Sequence, residues 1–204
     1  MSGIWFKKAA ERSLHGGHTE AHPEAQYTLA ECYYNGKGVE KDFELAVEWY
    51  KKAAAQGHLK AQYKLADFYH NSKIPFRFVN TFVWYKKAVE RGNAHAHYNM
   101  GKCYYYGRGV TQSFDHAVKW FIKAVEQGHA SAQYTLGECY FFGNGVVQSV
   151  DIAIKWFTKA AEQGNAFAQH ALGICYENGE GFKQSIDYAI DWYIKAAKQN
   201  NAQA

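Results

Sequence analysis

AQYTLGECYFFGNGV, Ala132–Val146, followed by IKWFTKAAEQG, Ile154–Gly164, decides the fold, because the same two blocks recur along the chain. The first returns as AQYTLAECYYNGKGV from Ala25, AQYKLADFYHNS from Ala61, AHYNMGKCYYYGRGV from Ala96 and AQHALGICYENGEGF from Ala168. The second returns as VEWYKKAAAQG from Val47, FVWYKKAVERG from Phe82, VKWFIKAVEQG from Val118 and IDWYIKAAKQN from Ile190. Trp49, Trp84, Trp120, Trp156 and Trp192 mark the register, at separations of 35, 36, 36 and 36 residues. A period of this size is the signature of a repeat array, in which each unit buries its apolar face only against a neighbour. Trp5, in IWFKKAAE from Ile4, matches the second block, so the chain opens half-way through a unit.

Both blocks carry helical periodicity. Ala25, Leu29, Cys32 and Tyr33 form one apolar face, and Phe43, Ala46, Val47, Trp49, Tyr50, Ala53 and Ala54 form another with Lys and Glu between them. The first block is helix A of each unit and the second is helix B. Glycine pairs such as Gly143 and Gly145 supply left-handed residues where helix A stops. Asp42, Ser113, Ser149 and Ser185 then occupy one slot that caps helix B, with Glu44, Asp115, Asp151 and Asp187 favouring the positive end of its dipole. The tryptophan slot is expected to be buried, so that an interior truncation such as Trp120→Ala costs about 3–5 kcal/mol. Phe43 and Phe114 mark a further core slot.

Composition agrees with a soluble helical protein. Of 204 residues 48% are hydrophobic, only 2 are Pro, and no apolar run is long enough to span a membrane. The net charge of +4 is scattered through the chain and forms no basic stripe, so nucleic acid is not expected as a partner. No apolar leader follows MSGIWFKK, which makes the cytoplasm the expected location. The four cysteines, Cys32, Cys103, Cys139 and Cys175, share one helix A slot. Packed layers stand about 8–10 Å apart whereas a disulfide needs Cα atoms within about 7 Å, so they read as free core thiols.

Together the pattern A-x-A-Q-Y-x-L-G-x-C-Y-x-x-G-x-G-V and A-x-x-W-Y-x-K-A-A-x-x-G resembles the Sel1-like repeat family, a relative of the tetratricopeptide repeat. The resemblance divides the chain into an N-terminal half-repeat helix and linker, 1–24, and five repeats, 25–204. It implies an all-α, right-handed α-solenoid of stacked helix-turn-helix units whose A helices line a concave face. It also implies a non-enzymatic scaffold or adaptor that binds a peptide or protein on that face. The alternative is a protein that binds or hydrolyses cell-wall fragments or β-lactams, chemistry to which some relatives are linked; a bare architectural spacer is a third reading.

Alignment with tetratricopeptide positions places the concave face at Glu24, Tyr27, Glu31, Tyr34 and Asn35 and their equivalents in each repeat. The partner-binding residues assigned there are Lys102, Tyr105, Tyr106, Glu138, Phe141, Phe142 and Phe167, since aromatic side chains dominate binding hot spots. Tyr98 and Tyr134, part of the repeat motif, are read as filling space between layers.

No catalytic triad and no phosphate-binding glycine loop stands out from the periodic background. His15, His18 and His22, with Glu20 and Glu24, sit in a Gly-rich stretch and read as a polar linker; neither a metal nor another cofactor is expected. The second repeat departs from the pattern at HNSKIPFRFVN, His70–Asn80, which reads either as a degenerate turn with Phe78 in the slot of Phe43 and Phe114 or as a loop whose Phe76 and Phe78, flanking Arg77, offer an aromatic and cationic contact. Asn200–Ala204, NNAQA, resembles Gly164–Ala168, where a repeat begins, and neither end carries a polar cap. Uncapped ends predict end-to-end self-association or a longer natural parent.

Overall fold

The computed structural model describes residues 22–71, 77–90 and 92–201, with the side chains of 70, 71, 77–80, 200 and 201 set aside. Among the described residues there are ten helices and no strand. They are α1 (Pro23–Asn35), α2 (Phe43–Ala55), α3 (Leu59–Asn71), α4 (Arg77–Val89), α5 (Ala94–Tyr106), α6 (Phe114–Val125), α7 (Ala130–Phe142), α8 (Val150–Glu162), α9 (Ala166–Asn178) and α10 (Ile186–Asn201). Odd-numbered helices are A helices and even-numbered ones are B helices. The chain divides into two compact units, residues 1–93 and 94–204. In the first, α1 pairs with α2 and α3 with α4, and α2 packs on α3; in the second, α5/α6, α7/α8 and α9/α10 pair, and each B helix packs on the next A helix. The half-repeat at 4–14, the linker histidines His15 and His18, and Pro75–Phe76 of the degenerate turn lie outside the described residues, as does the Phe78 side chain.

The expected caps are present. Asp42 accepts hydrogen bonds from the Glu44 and Leu45 amides, and Ser113, Ser149 and Ser185 accept from His116, Ile152 and Tyr188. Gly36, Gly143 and Gly179 end their A helices in the left-handed region, at φ 71, 76 and 74°. The second turn glycine has a different task. A Cβ on Gly145 would lie 2.5 Å from the Phe114 carbonyl, so this turn is seated against the first turn of the preceding B helix.

The deepest side chains are not the tryptophans. Tyr50, Tyr85 and Phe121, each one residue after a tryptophan, are at most 2% exposed, and Phe157 is 3% exposed. Trp84, Trp120, Trp156 and Trp192 are half-buried, while Trp49 is buried. Each of these five tryptophans carries the ammonium of the lysine three residues later over its ring, at 4.1 Å for Lys52, 4.5 Å for Lys87, 4.7 Å for Lys123, 4.6 Å for Lys159 and 3.9 Å for Lys195. A residue three positions on lies over the same helix face, so the indole covers the core with one edge and holds a cation with its solvent side. The Phe43 slot is likewise no core position: Phe43 is about half exposed and Phe114 half-buried.

Room for the buried ring comes from helix A. Ideal Cβ atoms on Gly101, Gly137 and Gly173 would fall 2.4 to 2.6 Å from the rings of Phe121, Phe157 and Tyr193. The four cysteines are buried and free, as their shared slot implied. Buried glutamines tie the layers together: Gln56 donates to Gln26 at 2.8 Å, Gln163 to Gln133 at 2.7 Å, and Gln62 and Gln169 donate to the Ala54 and Ala161 carbonyls of the preceding B helices.

The slot occupied by His58, His129 and Asn165 proves to be the N-cap of helix A. His129 Nδ1 accepts from the Ala132 amide at 3.2 Å, its Nε2 meets His95 Nδ1 at 2.9 Å, and its ring stacks on Tyr98. Burial, aided by His95, pushes the His129 imidazole down to about 4. The folded protein therefore keeps His129 neutral to about pH 4, while the unfolded chain takes up the proton near 6.5. Its contribution is full above about pH 6.5 and is lost on acidification toward 4. His129→Asn, which copies Asn165, is expected to lessen the drop in stability between pH 7.5 and pH 5 by about 1–2 kcal/mol, allowing for solvent at the ring. Urea unfolding at both pH values checks this, and parallel curves for the two proteins would refute it.

Candidate functional site

Facing A helices α7 and α9 leave a groove between them, floored by Phe157 of α8. It has a cavity of about 230 Å³ lined by Tyr134, Glu138, Phe141 and Phe142 on one side and Phe167, His170, Ala171, Ile174 and Cys175 on the other. Four of the seven residues expected at the binding face, Glu138, Phe141, Phe142 and Phe167, therefore meet in one place. Glu138, Phe141 and Phe142 do so because positions i, i+3 and i+4 share a helix face, and Phe167 joins them from α9.

The aromatic members differ in what they touch. Phe142 is 63% and Phe167 70% exposed, unusual for apolar rings of this size. Phe141 instead rests on Phe157, with centroids 6.3 Å apart, and edge-on against Phe142. Tyr134 packs on Phe157 and Phe167, so it both fills the interlayer space and lines the groove. Its hydroxyl donates to Glu138 Oε1 at 2.7 Å. Burial holds the Glu138 carboxyl above its ordinary value, with the tyrosine bond opposing, and burial likewise raises the Tyr134 phenol.

Lys102, Tyr105 and Tyr106 belong to α5 and do not line this groove. The Tyr105 ring packs on Phe114 and Phe121, and its hydroxyl accepts from Asn144 Nδ2 at 2.8 Å. Tyr106 is 54% exposed beneath the Arg108 guanidinium, 4.7 Å from its centroid. Lys102 Nζ lies 5.4 Å over the Tyr98 ring. Tyr105 and Phe141 therefore serve the fold as well as the surface, and a double truncation there would not leave the packing untouched. His170, Ala171 and Ile174 complete the groove; His170 and Ile174 occupied the right repeat slots, but only the facing of α7 and α9 shows that they join the same cavity.

Burial pushes the Cys103 and Cys175 thiols up to about 11 and Cys139 to about 12, away from thiolate chemistry. Among the described residues no group of three or more His, Cys, Asp or Glu is placed to hold a metal ion, and no helix is long and apolar enough to cross a membrane.

The model of the Sel1 repeat matches residues 4–14, 23–58, 59–93, 94–129, 130–165 and 166–201. The chain belongs to the Sel1 repeat family. Sel1 repeat proteins generally mediate protein–protein interaction, and the family is generally a non-catalytic scaffold. Among solved structures, a protective antigen of uropathogenic Escherichia coli with an SLR fold superposes with a TM-score of 0.86 at 35% identity over 97% of this chain. The chain spans 41% of that antigen's length. A Sel1 repeat protein from Oxalobacter formigenes gives 0.84 at 34% identity, covering 99% of this chain and 83% of the other. An immunity protein from Pseudomonas aeruginosa, 21% identical with a TM-score of 0.59 over 97% of this chain and 73% of its own, shares the Sel1 fold. No curated protein sequence matches the chain.

Proposed function

We propose that the chain is a non-enzymatic adaptor that holds a peptide or protein segment in the α7–α9 groove, with Lys102, Tyr105 and Tyr106 extending the contact surface along α5. The observation that carries this reading is the pair Phe142 and Phe167, both mostly exposed on the rim of an apolar cavity. Burying two such rings against a partner releases hydration free energy of the size that defines hot spots. The all-α repeat architecture supplies a surface held by rigid helices, which limits the ordering cost of binding.

Replacing Phe142 and Phe167 together by Ala is expected to weaken partner capture by about 2 kcal/mol or more, roughly thirtyfold, with helicity retained. Neither ring is buried, so the fold has little to lose. Affinity capture from native lysate with both proteins, followed by titration of the retained partner, checks it. Unchanged affinity in a folded double variant would move the site off this groove.

A further inference from the structure

The repeats provide an internal comparison that singles out Glu138. Its counterpart one-hundred-odd residues earlier, Glu31 on α1, is fully engaged: Oε1 accepts from the Tyr50 hydroxyl and lies 3.5 Å from Lys64 Nζ of the next A helix, while Oε2 accepts from Asn35 Nδ2 at 3.4 Å. The Lys64 ammonium also stands 5.5 Å over the ring of Tyr34. This first unit therefore contains a working ammonium seat, with a carboxylate beside it and an aromatic face below it.

Repeat register maps each member onto the α7–α9 groove. Tyr50 becomes Phe157, Asn35 becomes Phe142, Tyr34 becomes Phe141 and Lys64 becomes Ala171. Every polar partner named for Glu31 is thus replaced by an apolar residue, and the Glu138 carboxylate keeps the Tyr134 hydroxyl. Truncation from Lys to Ala at 171 also opens space, for Ala171 is one of the residues that line the cavity. No Lys or Arg lines it. A half-buried carboxylate facing an aromatic wall, with no lysine or arginine beside it, is electrostatically incomplete: leaving a charge partly desolvated is unfavourable, and an incoming ammonium would restore both the ion pair and the ring contact.

We propose that the α7–α9 groove takes a lysine side chain from the bound segment, its ammonium filling beside Glu138 and Phe141 the place that Lys64 fills beside Glu31 and Tyr34. This deepens the adaptor reading and rests on it. Phe142 and Phe167 then clasp the apolar residues that flank the lysine.

Two probes test the charge separately from the docking: acetyl-Phe-Lys-Phe-amide and its isostere with norleucine in place of lysine, each titrated into the full chain while the amide resonances of Phe167, Ala171 and Ile174 are followed. The lysine peptide is expected to bind at least tenfold more tightly at neutral pH and low salt. Glu138→Gln, which preserves the shape, should remove that preference. Ala171→Lys should abolish lysine-peptide binding and lower the Glu138 carboxyl titration, followed by carbon NMR, because the new side chain occupies the seat from within. Equal affinity of the two peptides at the groove resonances would overturn the ammonium seat while leaving an apolar docking groove. Absence of any groove shift with the lysine peptide, or a Glu138 titration unmoved by Ala171→Lys, would overturn it too, and the Phe142 and Phe167 capture experiment then decides the adaptor reading by itself.

Discussion

Phe121→Ala is expected to destabilise the 94–204 unit by about 3–5 kcal/mol, the range for removing a fully buried aromatic ring. Phe121 has no exposed surface, contacts the rings of Tyr98 and Tyr105 at 5.9 and 6.2 Å, and lies against the bare backbone of Gly101. Because Gly101 offers no side chain, the hole is faced there by bare backbone. The neighbouring Trp120→Ala should cost less, about 1–3 kcal/mol, since the indole is half-buried and what it loses is a stack on His97, 5.7 Å away, and the Lys123 contact. Denaturant unfolding of the two variants side by side tests the order. A larger loss for Trp120→Ala would mean that the indole, not the phenyl ring, is the keystone of the layer.

The second large effect concerns backbone. Gly145→Ala is expected to cost about 3 kcal/mol or more. Its φ of 72° disfavours any L side chain by about 1–2 kcal/mol. A Cβ there also meets the Phe114 carbonyl group at 2.5 Å and the Asp115 amide at 2.8 Å, main-chain atoms at the capped start of α6 that cannot rotate away. Gly128→Ala is the control: φ is 77° but no atom lies within 4 Å of the added carbon, so only the conformational part, about 1–2 kcal/mol, should appear. Equal midpoints for the two variants would show that the turn is not seated on the preceding repeat.

Much of this architecture was legible in the residues because the repeat states most of its rules at least four times. Serine before helix B, glycine after helix A and an apolar face of period 3.6 are local signals, and the structure uses them as local physics demands. What the pattern misassigned depended on which side of a residue faces the neighbour. Tryptophan at an invariant spacing looked like the deepest residue, yet the lysine three positions later draws its outer face to solvent, and the following Tyr or Phe goes inside. Phe43 and Phe114 share the helical apolar period but sit at the first turn of helix B, which leaves Phe43 about half exposed and Phe114 only half-buried.

The candidate site was half visible for the same reason. Glu138, Phe141, Phe142 and Phe167 followed from helix register, whereas Ala171 carries no chemical signal until it is set against Lys64 across the facing helix. Tyr105 looked like its repeat-mate Phe141, but its hydroxyl is already engaged by Asn144 of the next turn.

That bond between Asn144 and Tyr105 also bears on time. It joins residues 39 positions apart, little more than one repeat. Loop-closure entropy grows with the separation of the residues brought together, and folding rates fall as contacts become more distant in sequence. Ties that close within about one repeat require no long search, and in a repeat array nucleation in any repeat can spread to its neighbours. The direction of the tie matters during synthesis as well. Asn144 reaches back to a tyrosine made earlier, and Gly145 settles on a helix start made earlier, so each newly emerging turn finds its docking surface already present. Slow rearrangement after release from the ribosome is therefore not required of this chain, and its refolding from denaturant should be fast for its length.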